Sequence, residues 1–201
     1  MHDKLVIIGA GGHGRVCAEI AELCGYKEII FLDDNDSDVV SVSGKTSDIQ
    51  NYLDDSDFFV GIGNNDIRFR FYQLIAEKSG SFATLIHPSA VVSKYAVVED
   101  GCAVMGGVVI NTGARIKKGA VINTCSSVDH DCVVGDFAHI SVGAHLAGTV
   151  HVGNLSFVGA GATIINNINI QGNCVIGAGA VVTSDIVESG VYVGVPARIL
   201  K

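Results

Sequence analysis

Val134-Gly-Asp-Phe-Ala-His-Ile140-Ser-Val-Gly-Ala-His-Leu146-Ala-Gly-Thr-Val-His-Val152 carries an aliphatic residue at every sixth position. Followed backwards, the series passes Val128, Ile122, Ile116, Ile110, Val104, Val98 and Val92 to Ile86. Followed forwards, it continues through Val158, Ile164, Ile170 and Ile176 to Val182 without a miss. Four places beyond each aliphatic the residue is mostly small, as at Ala114, Ala120, Ser126, Cys132, Ala138 and Ala144. The place just after the aliphatic is rich in turn formers (Asn111, Asn123, Asp129, Gly135, Gly153, Gly159, Gly177), which predicts left-handed backbone there. A period of six fits neither helical repeat. It fits one short strand plus one corner, with the aliphatic and the small side chain both inward because strand neighbours alternate faces. Three units close a triangular coil of 18 residues, and stacked coils bury ladders of like side chains. Residues 86–201 are therefore expected to form an all-β parallel solenoid of stacked coils.

Residues 1–85 follow a different logic. Leu5–Ile8 reads as a buried strand, Val16–Cys24 as a helix closed by Gly25, Glu28–Leu32 and Phe58–Ile62 as further strands. A helix near 66–78 and a strand near 82–86 complete a small α/β, Rossmann-like unit. Between the first strand and helix lies Gly9-x-Gly11-x-x-Gly14, with Asp33 nineteen residues beyond Gly14. Amides of such a loop and the helix N-terminus receive a diphosphate, and the acidic residue can reach a ribose. Taken alone the fingerprint suggests NAD, but 85 residues hold one mononucleotide half, so a sugar nucleotide fits the space better. A tight glycine turn without a ligand is the plainer alternative. In Gly61-Ile-Gly63-Asn64-Asn65-Asp-Ile-Arg68, Asn64 either meets the ligand at a strand end or caps the following helix.

Composition narrows the function. Thirteen Lys and Arg against twenty-one Asp and Glu give a net charge of −8, which argues against nucleic-acid backbones and anionic lipid as partners. With 48% hydrophobic and 17% charged residues the chain is expected to fold. No apolar run is long enough for a membrane span, and the N-terminal one is too short for a signal peptide. The six cysteines contain no C-x-x-C pair, so free thiols in the cytoplasm are expected.

Four of the seven histidines lie well inside the repeat region, beyond its first coils: His130, His139, His145 and His151. The last three are spaced by six, which places them on different faces of one prism and disfavours a shared metal. His130, in Val128-Asp-His-Asp131, falls on an outward corner beside carboxylates. An imidazole there can accept a proton at neutral pH. Cys125, another outward position expected near that site, is a rival nucleophile.

Asn123-Thr-Cys-Ser-Ser-Val-Asp-His130-Asp-Cys, together with Gly-Gly-His-Gly and Leu-Asp-Asp near the start and Gly194-Val-Pro-Ala-Arg198 near the end, resembles one bacterial family. It comprises the nucleotide-sugar acetyltransferases of bacillosamine-type synthesis (PglD-like) and the related sialic-acid acetyltransferases (NeuD-like). The resemblance spans essentially the whole chain. It implies a left-handed parallel β-helix, where the general crossover rule predicts the opposite hand. It also implies acetyl-CoA as co-substrate, no metal, and a homotrimer with each active site between neighbouring prisms. His130 matches the general base, and Asp131 the adjacent acid, which is Glu in the bacillosamine type. Asn123 matches a residue near the acceptor sugar, and His139 and Gly148 match the acetyl-CoA cleft. Gly12, His13, Asp33 and Asp34 match the nucleotide-holding region. N-acetylation of a nucleotide-linked amino sugar is the expected reaction. O-acetylation of a sugar, an NAD-linked oxidoreductase and a non-catalytic solenoid are the alternatives.

Overall fold

The computed structural model describes residues 2–200. Strands β1 (Lys4–Ile8), β2 (Glu28–Leu32), β3 (Val42–Gly44), β4 (Asp57–Val60) and β5 (Ser81–Phe82) form a parallel sheet in the order β3-β2-β1-β4-β5. Helix α1 (Gly12–Leu23) follows β1, and helix α2 (Asn65–Glu77) follows β4. The first helix starts four residues earlier than Val16, because the fingerprint glycines themselves make its first turn. A Cβ on Gly14 would collide with the Gly9 carbonyl, so the glycine is what lets the helix lean on the strand end. The expected third strand is shifted slightly, to Asp57–Val60. Strand β3 and the 3-10 helix Thr46–Tyr52 carry no apolar period of their own and were not anticipated.

From Leu85 onward the chain is a left-handed parallel β-helix of two-residue strands on three faces. The first face runs upward from Leu85–Ile86 through Val121–Ile122 and His139–Ile140 to Val175–Ile176. The second runs from Val91–Val92 through His145–Leu146 to Val181–Val182, and the third from Val97–Val98 through His151–Val152 to Asn169–Ile170. Strands pair in register at a step of 18, as Val121 with His139 and Val128 with Leu146. From Val104 to Val182 every aliphatic of the period is buried. The small position beneath each one is buried too. Inward Ser and Cys residues satisfy their polar atoms on corner carbonyls: Ser126 donates to Asn123 O (2.6 Å), Cys132 to Ala147 O (3.1 Å) and Ser156 to Gln171 O (2.9 Å).

The left-handed residue lies two places later than the sequence suggested. Positive φ occurs at Gly101, Gly107, Gly113, Gly119, Cys125, Asp131, Phe137, Gly143, Thr149, Leu155, Gly161, Asn167, Asn173 and Gly179, each three beyond an aliphatic. The reason is the turn. Its first residue follows the aliphatic and accepts from the small residue, as Asn123 O accepts from Ser126 N (3.1 Å). Positive φ therefore falls at the third turn position, as in a type II turn. From Gly119 to Gly179 each left-handed residue also ties its coil to the one below, Asp131 N donating to Thr112 O (3.0 Å) and Phe137 N to Lys118 O (2.8 Å). The glycines that open some turns serve close approach instead: a Cβ on Gly159 would lie 2.6 Å from Ile176 O.

The α/β unit covers the first face, so Leu85, Ala103, Val121 and His139 are buried there although they point out of the prism. At the far end Val191–Val193 adds to the first face, and Arg198–Ile199 folds back antiparallel on it, closing the stack. Among the described residues no helix is long and apolar enough to cross a membrane.

Gly161→Ala, at φ 65° with open space around it, should cost about 1–2 kcal/mol in urea unfolding. Gly159→Ala, which meets backbone atoms, should cost more than Gly161→Ala does. The reverse order would contradict the turn assignment.

Candidate active site

Two clusters of polar side chains emerge, on opposite sides of the prism. The first lies on the edge between the second and third faces. There Asp131, at φ 58°, turns its carboxylate onto its neighbour, with Oδ2 2.9 Å from His130 Nδ1. Asp129 Oδ1 accepts from His130 N (2.7 Å) and from Asn111 Nδ2 (2.8 Å), which braces the corner. The His130 side chain is 53% exposed. Glycines of the neighbouring coils make room for the pair. A Cβ on Gly148 would lie 2.6 Å from His130 Cε1, and one on Gly113 would strike the Asp131 carboxylate. The Asp131 hydrogen bond, assisted by the charge of Asp129, raises the His130 pKa above its ordinary value.

The second cluster lies where the α/β unit meets the first face. His13, on the first turn of α1, faces His139 with ring centroids 6.2 Å apart. His139 Nδ1 is 3.4 Å from Gly63 O, and Asn123 Nδ2 is 3.0 Å from His139 Nε2. Burial, with the Arg68 guanidinium nearby, pushes His13 down to about 4 and His139 down to about 3. Both are therefore neutral at pH 7. The carboxyl ends of β1, β2 and β4 open into a cavity of about 340 Å³ lined by Gly9, Asp33, Asp34, Asn35, Thr46 and Ile62. Gly11 and Gly12 have nothing within 4 Å of a built Cβ, so a ligand can approach that backbone closely.

The expected residues thus fall into two groups. Gly12, His13, Asp33, Asp34, Asn64, Asn123 and His139 lie on the α/β side, whereas His130, Asp131 and Gly148 lie across the prism from them. One chain does not bring His139 and Gly148 to a common cleft, because the first face is opposite the edge that bears Gly148. Cys125 is exposed but occupies the edge between the first and second faces, not the His130 edge. Asp33 already accepts from Ala10 N (2.8 Å) and Asn35 N (2.9 Å), so it also shapes the glycine loop from within. Asp34 receives Thr46 N and its hydroxyl at 3.0 Å. Asn64 Oδ1 accepts from Ile67 N (3.0 Å), which gives its oxygen the capping role. His139, His145 and His151 start strands on three different faces, and no metal-holding group of three appears among the described residues.

The model of the PglD N-terminal domain matches residues 4–75. The acetyltransferase domain of PglB from Neisseria gonorrhoeae, solved in complex with acetyl coenzyme A, is 38% identical, covers 100% of both chains and superposes with a TM-score of 0.96. This chain belongs to the PglD-like acetyltransferase family. A second structure, PerB from Caulobacter crescentus in complex with CoA and GDP-perosamine, is 37% identical over 98% of this chain and 97% of that one, with a TM-score of 0.95. The UDP-N-acetylbacillosamine N-acetyltransferase of Bacillus subtilis is 33% identical over 111 residues, so the match spans about half (51%) of that protein and of this one.

Two contributors in this PglD-like chain escaped the sequence reading. Gly113 makes room at the His130 corner that Asp129 braces, and Arg68 anchors α2 to the solenoid. Gly113 was findable by subtracting one 18-residue coil from Asp131. Nitrogen-detected titration should find His130 with a pKa above 6.5 that falls in Asp131→Asn, while His13 and His139 remain neutral at pH 6. A His130 pKa unchanged by Asp131→Asn would contradict the pair.

Proposed function

We propose that the protein transfers the acetyl group of acetyl-CoA to the amine of a nucleotide-linked amino sugar, in a homotrimer whose active sites lie between neighbouring prisms. The observation that carries this reading is the split of the two clusters: a solvent-facing basic imidazole on one side, a nucleotide-type loop and a neutral His–Asn pair on the other. Only a second copy can bring the two sides together. The free faces support such packing, since Val91, Tyr95, Val97 and Val109 stand exposed on them. PglB's acetyltransferase domain binding acetyl coenzyme A, and PerB binding CoA and GDP-perosamine, support the two substrates.

In this reading residues 1–85 hold the nucleotide, the diphosphate lying on the amides of Gly11 and Gly12 at the start of α1. Residues 86–201 supply the chemistry. His130 Nδ1 donates to Asp131, which leaves Nε2 with a free lone pair. The sugar amine attacks the thioester carbonyl carbon while Nε2 takes the amine proton. As the tetrahedral centre collapses, the C–S bond breaks and the proton passes to the departing CoA thiolate. The Gly148 N–H makes no hydrogen bond among the described residues and would donate to the developing oxyanion. Transfer is direct in this reading, from acetyl-CoA to the amine, with no acyl-enzyme on Cys125. The compartment we assign is the cytoplasm, a reading that six unpaired thiols support.

The test is free-thiol release from acetyl-CoA with a panel of UDP- and GDP-linked amino sugars. Thiol should appear only with an amino sugar. His130→Ala should lower turnover about 10²–10⁴-fold while acetyl-CoA still binds, and Cys125→Ala should retain full activity. Thiol release without any acceptor, or a fully active His130→Ala protein, would overturn the proposal.

A further inference from the structure

Arg68 is the largest fully buried side chain, 1% exposed, and no carboxylate faces it among the described residues. A buried cation without a counter-ion is costly unless every donor is satisfied. Here the guanidinium is spent on oxygen dipoles. Nε donates to Gly119 O (2.8 Å), Nη1 to Ile62 O (3.0 Å) and Gly63 O (3.1 Å), Nη2 to Phe137 O (2.7 Å) and Asn65 Oδ1 (2.9 Å). Asn65 Nδ2 in turn donates to Leu155 O (2.9 Å). Gly119, Phe137 and Leu155 are the left-handed residues of three successive coils on one edge. One side chain and its neighbour therefore bolt the loop after β4 to three rungs of the solenoid.

The bolt has a further reach. Gly63 O, held by Arg68, also faces His139 Nδ1 at 3.4 Å. A carbonyl only accepts, so Nδ1 carries the ring proton and Nε2 accepts from Asn123 Nδ2. The Asn123 oxygen agrees with that orientation, since it accepts from Thr124 N (2.8 Å). A continuous chain thus links Arg68 to the amide of Asn123.

We propose that Arg68 is a positioning residue for acetyl transfer: by fixing Gly63 O against the solenoid it sets the tautomer and pitch of His139, and through that ring the Asn123 amide that meets the acceptor sugar. The inference rests on the proposed function for its kinetic consequence. Its structural half needs no substrate. A guanidinium matches this fan of carbonyls because its five N–H groups diverge in one plane, which an ammonium cannot imitate.

Arg68→Lys keeps the charge and loses the fan. The lysine protein should stay folded, and its kcat/KM for the amino-sugar acceptor, read at saturating acetyl-CoA, should fall about 10–100-fold, well beyond any loss of acetyl-CoA affinity through His139. The imidazole nitrogen-15 shifts of His139 should move from a single Nδ1–H tautomer toward a mixture. A strut that served stability alone would instead lower the melting temperature and impair both substrates together, which would overturn the proposal. So would a lysine protein with wild-type acceptor kinetics. Should the lysine protein not fold, the wild-type spectrum decides: an Nε2–H tautomer at His139 overturns the inference, and an Nδ1–H tautomer supports it. A wild-type protein that acetylates no amino sugar defeats the proposed function instead, and leaves the spectroscopic outcome to judge the chain of contacts.

Discussion

The rest of the structure depends on one recurring backbone event, a left-handed residue three places after each inward aliphatic from Val98 to Ile176. It closes the turn, and its N–H bonds to the coil beneath, so coils stack at a fixed rise with equivalent atoms in rows. Rows of equivalent atoms are what the functional parts use. On one edge the carbonyls of Gly119, Phe137 and Leu155 form a ladder that Arg68 and Asn65 grip. On another, Gly113 and Gly148 flank Asp131 and His130 from below and above, so that neither side chain meets a Cβ. Left-handed backbone costs a non-glycine residue about 1–2 kcal/mol, yet Asp131 occupies it, and that corner is where its carboxylate faces the His130 ring.

The same residue type is set to two chemistries by its surroundings. His130, in solvent beside two carboxylates, is drawn toward a higher pKa, as suits a group that collects a proton. His13 and His139 are buried with Arg68 close by, and stay neutral. A neutral imidazole with a fixed tautomer orients a neighbour through hydrogen bonds without contributing a charge. The division of labour follows from burial, and burial follows from which face the α/β unit covers.

The solenoid was legible because a period of six with two inward positions is written into every coil from Ile86 to Val182. Its hand was not, since residue types on the faces are indifferent to it and the family resemblance supplied it. The turn was misplaced by two residues because Asn123, Asp129 and Gly135 look like left-handed residues but open the turn instead, while Phe137, Thr149 and Leu155 adopt positive φ against their type. His130 was findable from its outward corner and its carboxylate neighbours. Its remoteness from His139 was not drawn from the spacing, although nine residues is half a coil and so places the two on opposite sides. Arg68 stayed hidden because an arginine in a helical segment reads as a solvated surface residue, and only the docked domains show it buried.

In the proposed assembly the reaction centre is shared, His130 coming from one copy and Asn123 with the nucleotide loop from the next. Mixed assemblies of His130→Ala and Asn123→Ala chains, refolded or co-expressed with different tags and purified through both, test it most directly. Each variant alone should be nearly inactive, and the mixture should regain activity because some interfaces then pair an intact His130 with an intact Asn123. A mixture no more active than its two parents would contradict the account.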